Sequence, residues 1–464
     1  MPRFSWTSER IAEALGIPAT GQEPRVYEGV STDTRTLRPG ELFVALRGER
    51  FDGVEFVAAA AAAGAPGAVA EHRPHGLADE FELFVVDDTL RALGQLAAVR
   101  RRALDPKVVA ITGTSGKTTT RELTAAALGP GAYASPGNYN NLVGLPLSIL
   151  AAPERSGVWL LELASNQAGE IDLLARIAEP DFAVITSVSE GHLEGLGDLQ
   201  GVMEEKLALL SNLRVSGQAL VCDEPADLVQ LARQRLAEVR TVGLSPEADV
   251  RPESWSVSAD GVAWRWSGVD FRLAGFGAHL IRDALFALQV AQLLGVDARQ
   301  AAQRLATVKL PPMRGELRQL GDLTLLVDCY NANPASFRAA LDSLSALAAG
   351  RRRAVLAGTM LELGEESQML HGRVARWIAD EGIELIAATG EFVTGFAGMA
   401  SELGERLIRA DDFEDAYCKL SARLRGDEVV LIKASRAKKF ERAIPLFERD
   451  FGGKGRLRIS GTHG

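Results

Sequence analysis

The sequence predicts an α/β protein of three domains, of which the second and third contain mostly parallel sheets with helices on both faces. At 464 residues the chain is too long for one hydrophobic core. A strand, a glycine-rich loop and a helix follow one another from Lys107, as in phosphate-binding sheets. Strand-length apolar runs alternate with helical patterns on both sides of Pro311-Pro312. With a turn at Asp105-Pro106, the predicted domains cover residues 1–104, 105–310 and 311–464.

Composition places the chain among globular proteins, with 47% hydrophobic and 24% charged residues. The net charge of −10 argues against non-specific nucleic-acid binding. Neither an apolar signal region nor a membrane-length apolar run is evident, so we expect no membrane insertion. Three scattered cysteines (Cys222, Cys329 and Cys418) fit a reducing cytoplasm, and we expect a cytoplasmic monomer.

The first domain mixes short strands and helices. We predict strands at Val44–Leu46 and Phe84–Val86, and a helix over Val54–Ala63.

The second domain opens with the most informative segment. Val108–Ile111 predicts a buried strand, and a helix is predicted from Lys117 to about Leu128. Loop N–H groups and the lysine can hold phosphate, and the Thr118 hydroxyl can hold Mg²⁺. Ile111 stands where the usual G-x-x-x-x-G-K-[ST] spacing has glycine, so the loop is a shortened variant. The alternative is an ordinary glycine-rich turn.

Polar residues follow two further predicted strands, Val158–Leu161 and Asp181–Val188. Glu162 and His192 come just after them, and together they indicate a metal site beside the phosphate loop. Each alone is more typical of an ordinary hydrogen-bonded residue. Lys206 lies in a helical pattern beside two glutamates, which by itself is typical of a solvated residue.

A strand is also predicted at Ala219–Cys222, and Ser254–Trp266 predicts a hairpin around Asp260-Gly261. We expect this hairpin to form an antiparallel edge of the central domain. Its three tryptophans favour packing over nucleic-acid stacking, because no basic residues interleave them.

In the third domain, four apolar runs predict a doubly wound sheet: Leu323–Val327, Ala354–Leu356, Leu385–Ala388 and Val429–Ile432. Asp328–Pro334 follows the first run and could bind ribose or phosphate, or could form an Asn-Pro turn that caps a helix. Lys433-Ala-Ser-Arg436 follows the last run and could form an anion site at a helix start.

In this order, the motifs resemble the Mur ligase family over nearly the whole chain. Ser31–Gly53 resembles the UDP-binding first domain, and Gly113–Thr118 matches the phosphate loop. Pro136–Pro146 resembles the segment that lines the reacting centre. His192-Leu-Glu-Gly and Lys206 fall where the family has a metal-site histidine and a carbamylated lysine.

The resemblance implies an ATP-dependent amide-forming ligase of peptidoglycan synthesis. Tyr330–Pro334, Met360–Ser367 with His371, and Lys433–Arg436 resemble the members that add D-alanyl-D-alanine to UDP-MurNAc-tripeptide through an acyl phosphate. The alternative is a sibling Mur-type or folylpolyglutamate-type ligase that uses another amino acid.

The resemblance also implies roles for individual residues, with ATP, Mg²⁺ and a CO₂-derived carbamate on Lys206 as the groups they serve. Catalysis is expected from Lys117, Lys206, His192 and Glu162. Metal binding is expected from Thr118, Glu162, His192 and carbamylated Lys206. ATP binding is expected from Gly113, Thr114, Ser115, Gly116, Lys117, Thr118, His279, Asp283, Arg314, Asp328 and Asn331. Substrate binding is expected from Ser31, Thr32, Asp33, Arg47, Asn140, Asn141, Tyr330, Asn333, Lys433 and Ser435.

The chain departs from the family pattern near the adenine site. The usual His-Asn-x-x-Asn is His279-Leu-Ile-Arg-Asp283 here, so both asparagines are replaced. Thr359 stands where aspartate is common, and Ala434 replaces a glycine.

Overall fold

The computed structural model describes residues 4–19, 23–48, 51–258 and 261–453. At its amino end, a small antiparallel pair adjoins a four-stranded parallel sheet in the order β3-β4-β5-β6. The strands are β1 (Trp6–Thr7), β2 (Val26–Tyr27), β3 (Gly29–Ser31), β4 (Glu41–Val44), β5 (Gly67–Ala70) and β6 (Glu82–Val85). The helices are α1 (Ser8–Leu15), α2 (Val57–Ala62) and α3 (Thr89–Leu104).

Two predictions for this region had wrong bounds. The strand predicted to begin at Val44 ends there instead. The predicted helix over Val54–Ala63 begins as a 3₁₀ turn at Gly53, where the Asp52 side chain accepts from the Val54 amide at 3.0 Å, and becomes α-helical only at Val57.

The central sheet is parallel throughout, in the order β12-β11-β10-β7-β9-β8. Its strands are β7 (Lys107–Thr112), β8 (Ala132–Ala134), β9 (Val158–Glu162), β10 (Phe182–Ile185), β11 (Gln218–Cys222) and β12 (Val239–Val242). Its helices are α4 (Lys117–Leu128), α5 (Gly144–Ala151), α6 (Glu170–Ala178), α7 (Leu193–Leu196), α8 (Leu199–Leu207), α9 (Ala226–Arg235), α10 (His279–Leu293) and α11 (Ala298–Leu305).

The predicted hairpin is not an edge of this sheet, so that expectation was wrong. It forms a separate antiparallel sheet from β13 (Ser254–Ser258), β14 (Gly261–Trp266) and β15 (Val269–Leu273). The third strand supplies Phe271, whose ring stacks on Trp264 with centroids 5.3 Å apart, so the hairpin completes its own apolar face. Asp260 of the expected turn lies outside the described residues.

The third domain contains a six-stranded sheet in the order β16-β17-β21-β18-β19-β20, in which the β16–β17 pair is antiparallel and the other pairs are parallel. Its strands are β16 (Glu316–Leu320), β17 (Leu323–Val327), β18 (Arg353–Ala357), β19 (Leu385–Thr389), β20 (Leu407–Ala410) and β21 (Val429–Lys433). Its helices are α12 (Pro334–Ala348), α13 (Ser367–Asp380), α14 (Glu391–Gly395), α15 (Ala400–Leu403), α16 (Phe413–Ser421) and α17 (Ala443–Phe451). The three-domain α/β prediction is confirmed, while its exact boundaries stay a prediction.

Strand register brings the central site together. Ile111 of β7 lies opposite Glu162 of β9, and Thr112 lies opposite Ile185 of β10. The loops after these three strands therefore meet at one edge of the sheet, where ligands of parallel sheets bind. Among the described helices, none combines the length and apolar character needed to cross a membrane.

Candidate active site

The phosphate loop joins β7 to α4. Gly113 and Gly116 have positive φ angles of 144° and 83°, conformations that favour glycine. The Lys117 ammonium folds back and donates to the Gly113 carbonyl at 2.6 Å. Burial lowers the pKa of Lys117. The loop therefore holds a desolvated amine beside a helix amino end, an arrangement suited to phosphate.

Segment 186–189, directly after β10, fixes the shape of this loop. Thr186 Oγ1 and Ser187 Oγ donate to the Ser115 carbonyl at 2.6 and 3.0 Å. The Ser115 amide donates back to Ser187 Oγ at 2.8 Å, and the Thr114 amide donates to the Ser187 carbonyl at 2.9 Å. Sequence analysis named the loop residues but missed these hydroxyl partners.

Glu162 lies on the other side of the loop and is 3% exposed. One carboxylate oxygen accepts from Thr118 Oγ1 at 3.0 Å and from Arg121 at 3.3 Å, and the other accepts from Asn140 Nδ2 at 2.9 Å. Arg121 was missed, since a charged residue inside a helix gives no signal of burial. Asn141 has a separate role, because its Oδ1 accepts from the Gly144 amide at the start of α5.

His192 contacts a residue that sequence analysis did not place in the site. Its Nδ1 lies 2.6 Å from a carboxylate oxygen of Glu362, in the third domain, without hydrogen-bond alignment. The His192 side chain holds the pKa of Glu362 below its ordinary value. Nothing in the sequence pairs two residues so far apart.

Lys206 is 1% exposed, so the pattern-based expectation of a solvated side chain was wrong. Its ammonium donates to Ser165 Oγ at 2.7 Å. Burial, with the nearby charge of Lys117, lowers the pKa of Lys206 to about 7. The neighbouring Glu205 turns the other way and accepts from the Gly169 and Ile171 amides at the start of α6. Lys206 can therefore be neutral near pH 7, although it does not line the cavity described below.

The first two turns of α10 approach the phosphate loop from behind. Asp283 is 2% exposed, and a Cβ built on Gly116 would lie 2.6 Å from its Oδ1. Burial raises the pKa of Asp283 to about 7. Burial also lowers the pKa of His279 to about 4, so this histidine is neutral.

The third domain supplies the opposite wall. Arg314 donates to Thr118 Oγ1 at 3.1 Å while its guanidinium lies 3.9 Å from the centre of the Tyr330 ring. Asn333 caps α12 and donates to Ser115 Oγ at 3.3 Å. This turn thus caps a helix, as one interpretation of Asp328–Pro334 predicts, and also faces the phosphate loop; binding of ribose or phosphate stays a prediction.

Lys433 is fully buried and pairs with Asp328, with Nζ 2.6 Å from Oδ2. The lysine also donates to the Asn331 carbonyl at 3.2 Å. Ser435 is turned away from the cavity and accepts from the Leu361 amide at 2.9 Å. The local structure therefore makes Lys433 a cavity residue held by a carboxylate, and Ser435 a support for the 359–362 loop.

Both walls enclose a cavity of about 620 Å³. The predicted site residues that line it are Thr114, Ser115, Gly116, Lys117, Thr118, Asn140, Glu162, His192, His279, Asp283, Arg314, Asp328, Tyr330, Asn331, Asn333 and Lys433.

The predicted substrate residues of the first domain do not line this cavity. Ser31 is buried at the end of β3 and its hydroxyl donates to the Asp33 carbonyl at 3.2 Å, with Thr32 half-buried between them. Asp33 pairs with Arg35 at 2.6 Å, and Arg47 lies 3.3 Å from Glu71.

Few side chains of the site could hold a metal ion. In the described ranges, no three His, Cys, Asp or Glu side chains gather as a ready-made metal site. Glu162 and Thr118 line the cavity and offer carboxylate and hydroxyl oxygens, the hard donors that Mg²⁺ prefers, and the imidazole of His192 lines the same cavity. Glu362 is a further carboxylate at this point, with one oxygen 2.6 Å from Nδ1 of His192.

A phosphate loop on a parallel sheet, closed by a second doubly wound domain, defines a three-domain nucleotide-dependent enzyme. Family models match most of this chain: the Mur ligase family catalytic domain at 26–101, the Mur ligase middle domain at 111–291, and the Mur ligase glutamate ligase domain at 313–436. The chain belongs to the Mur ligase family.

Individual relatives and solved structures agree with this family assignment. The UDP-N-acetylmuramoyl-tripeptide--D-alanyl-D-alanine ligase of Bacillus subtilis is 33% identical and aligns over 94% of this chain and 97% of its own. The ligase of the same name from Escherichia coli is 33% identical over 91% and 94%. MurF from Acinetobacter baumannii superposes with a TM-score of 0.86 at 28% identity, covering 97% of this chain and 100% of its own. MurF from Thermotoga maritima, solved with ADP, has a TM-score of 0.81 at 27% identity, covering 91% and 97%.

Proposed function

We propose that this chain is an ATP-dependent ligase that adds D-alanyl-D-alanine to UDP-N-acetylmuramoyl-tripeptide in peptidoglycan synthesis. The relatives named above carry this activity in their names. The observation that carries the proposal is the shared cavity, in which Lys117 and Thr118 of one domain face Arg314 and Asn333 of another. Such a cavity suits phosphoryl transfer followed by an attack from a second substrate.

The first step joins two anions, so positive charge is required. The Lys117 ammonium, the loop amides and the α4 amino end hold the β- and γ-phosphates of ATP. The terminal carboxylate of the tripeptide attacks the γ-phosphorus, which gives an acyl phosphate and ADP. Lys117 and Arg314 offset the negative charge that is concentrated as the two anions approach.

The second step forms the amide. The neutral amine of D-alanyl-D-alanine attacks the acyl carbon, the bond to phosphate breaks, and the leaving phosphate takes up the proton that the amine loses. We propose that Tyr330, Asn333 and Lys433 position the dipeptide on the third-domain wall. Closure of the two walls excludes water, which would otherwise hydrolyse the acyl phosphate.

Mg²⁺ fits beside Thr118, Glu162 and His192, and when bound it would neutralise phosphate oxygens. Lys206 supports this assignment because a neutral amine reacts with CO₂ to give a carbamate. A carbamate at Lys206 would add a negative oxygen donor to the one that Glu162 supplies. Glu162 accepts two bonds on one carboxylate oxygen and one, from Asn140, on the other, so the second oxygen keeps a lone pair for a cation.

The first domain would hold the nucleotide-sugar end of the substrate, through Ser31, Thr32, Asp33 and Arg47. We propose that the enzyme acts as a monomer in the cytoplasm.

Identifying the amine substrate tests the proposal. The purified protein is supplied with ATP, Mg²⁺, bicarbonate and UDP-MurNAc-tripeptide ending in either diaminopimelate or lysine. D-alanyl-D-alanine, D-alanine and L-glutamate are compared by phosphate release and product mass. We expect a new amide with the D-dipeptide alone. A product with L-glutamate would instead favour a sibling ligase that uses another amino acid, and no ADP with any amine would refute ligation of this tripeptide.

A further inference from the structure

The segment between β10 and α8 contacts two domains at once. Residues 186–189 bond to the phosphate loop, as described above. Directly after them, Glu190 reaches α13 of the third domain, where Arg373 Nη2 lies 2.8 Å from Glu190 Oε1. We propose that the Glu190–Arg373 ion pair couples nucleotide binding at the phosphate loop to docking of the third domain, so that Arg373 is a positioning residue of the ligase reaction.

Further contacts along this segment place the pair within a continuous interface. The Glu194 amide donates to the Glu362 carbonyl at 3.3 Å. A Cβ at Gly191 would lie 2.7 Å from Thr114 Cγ2 and 3.7 Å from Asn333 Nδ2, so the phosphate loop and the third domain meet closely there. A shift of the third domain is thereby transmitted to the loop within a few residues.

The ion pair is well placed to be made and broken. Its side chains are about one-third exposed or less, at 36% for Arg373 and 27% for Glu190. A partly buried pair is screened less by salt than a surface pair. Arg373 Nε has no acceptor within the described residues, so the hydrogen bond to Glu190 is made by Nη2. Separation of the domains therefore breaks this single bond along with the other interdomain contacts, such as that of Asn333 with Ser115.

The consequence concerns nucleotide affinity. Because Arg314 and Asn333 of the third domain help line the nucleotide cavity, any loss of docking removes part of its wall. ATP binding should weaken, whereas binding of the UDP-linked substrate to the first domain should not change.

The test uses the full chain and rests on the proposed function. Glu190→Gln, Arg373→Gln and the charge swap Glu190→Arg/Arg373→Glu are compared by calorimetric binding of a non-hydrolysable ATP analogue, by steady-state kinetics and by thermal unfolding. The matched control is Arg376→Gln, which removes an arginine from the same helix that pairs at 3.5 Å with Glu402 of its own domain.

We expect each single variant to bind the analogue about three- to tenfold more weakly, with unchanged KM for the UDP-linked substrate and unchanged thermal stability. The charge swap should restore most of the affinity, and Arg376→Gln should match the wild type. Equal affinity in the wild type and both single variants would overturn the coupling, as would impaired single variants that the swap does not restore. Failure of the wild type to bind the analogue would instead refute the proposed function.

Discussion

Replacing Gly116 with alanine tests how tightly α10 packs behind the phosphate loop. The substitution has two separable costs. Gly116 has φ 83° and ψ −13°, and a left-handed conformation costs alanine about 1–2 kcal/mol. The new Cβ would also lie 2.6 Å from Asp283 Oδ1, and overpacking of this kind costs about 1–3 kcal/mol. We therefore expect Gly116→Ala to destabilise the central sheet by about 2–5 kcal/mol.

Gly169 provides a matched control. It precedes α6 as Gly116 precedes α4, with φ 90° and ψ −9°, but a Cβ there would meet nothing within 4 Å. Gly169→Ala should therefore cost about 1–2 kcal/mol, from the backbone alone.

Hydrogen–deuterium exchange of the β7 amides measures these effects within the central domain. The double variant Gly116→Ala/Asp283→Ala should recover the contact part of the loss, relative to Asp283→Ala alone. If Gly116→Ala and Gly169→Ala cost the same, and Asp283→Ala gives no recovery, then α10 does not press on the loop.

Three further outcomes are expected. Lys117→Ala should lower kcat at least a thousandfold with the circular dichroism spectrum unchanged, and near-normal turnover would remove its phosphate-binding role. Because its pKa is lowered to about 7, the neutral fraction of Lys206 rises from about a tenth at pH 6 to about nine-tenths at pH 8. Stimulation of turnover by a fixed concentration of dissolved CO₂ should rise over that pH interval. Lys206→Ala should not respond to CO₂ but should regain some activity with short carboxylates. Full activity of this variant without additives would exclude the carbamate. Burial lowers the pKa of His371, whose Nε2 accepts from the Met360 amide at 2.9 Å. The contribution of the neutral imidazole to folding stability is therefore present above about pH 6.5 and is lost as the pH falls below that value. Urea unfolding should show His371→Ala to be less stable by about 1–3 kcal/mol at pH 8, with a smaller difference at pH 5; the exposed His72→Ala is the control, and a pH-independent loss would contradict the protonation account.

Local patterns predicted the phosphate-loop region well. The strand predicted at Val108–Ile111 extends by one residue at each end, and the helix from Lys117 to Leu128 has the predicted bounds. These features depend on β-branched residues, glycines and a helix start that are adjacent in the chain. The short strands β16 and β20 were missed, because edge strands of four or five residues carry little periodic signal.

The periodicity of the sequence did not predict contacts between segments that are distant in the chain. The local pattern alone favoured a solvated Lys206 because glutamates precede it, yet Glu205 is itself buried as the cap of another helix. Ser435, whose expected role in substrate binding stays a prediction, accepts from the Leu361 amide. In each case a polar side chain is committed to a backbone group whose position depends on the tertiary fold.

The cavity wall is divided between two domains, and this has a consequence for inhibition. A compound that contacted both Lys117 and Tyr330 would bind across the interface between the two domains. Its dissociation would depend on how often the domains separate, so compounds of equal equilibrium affinity could differ widely in residence time on the enzyme.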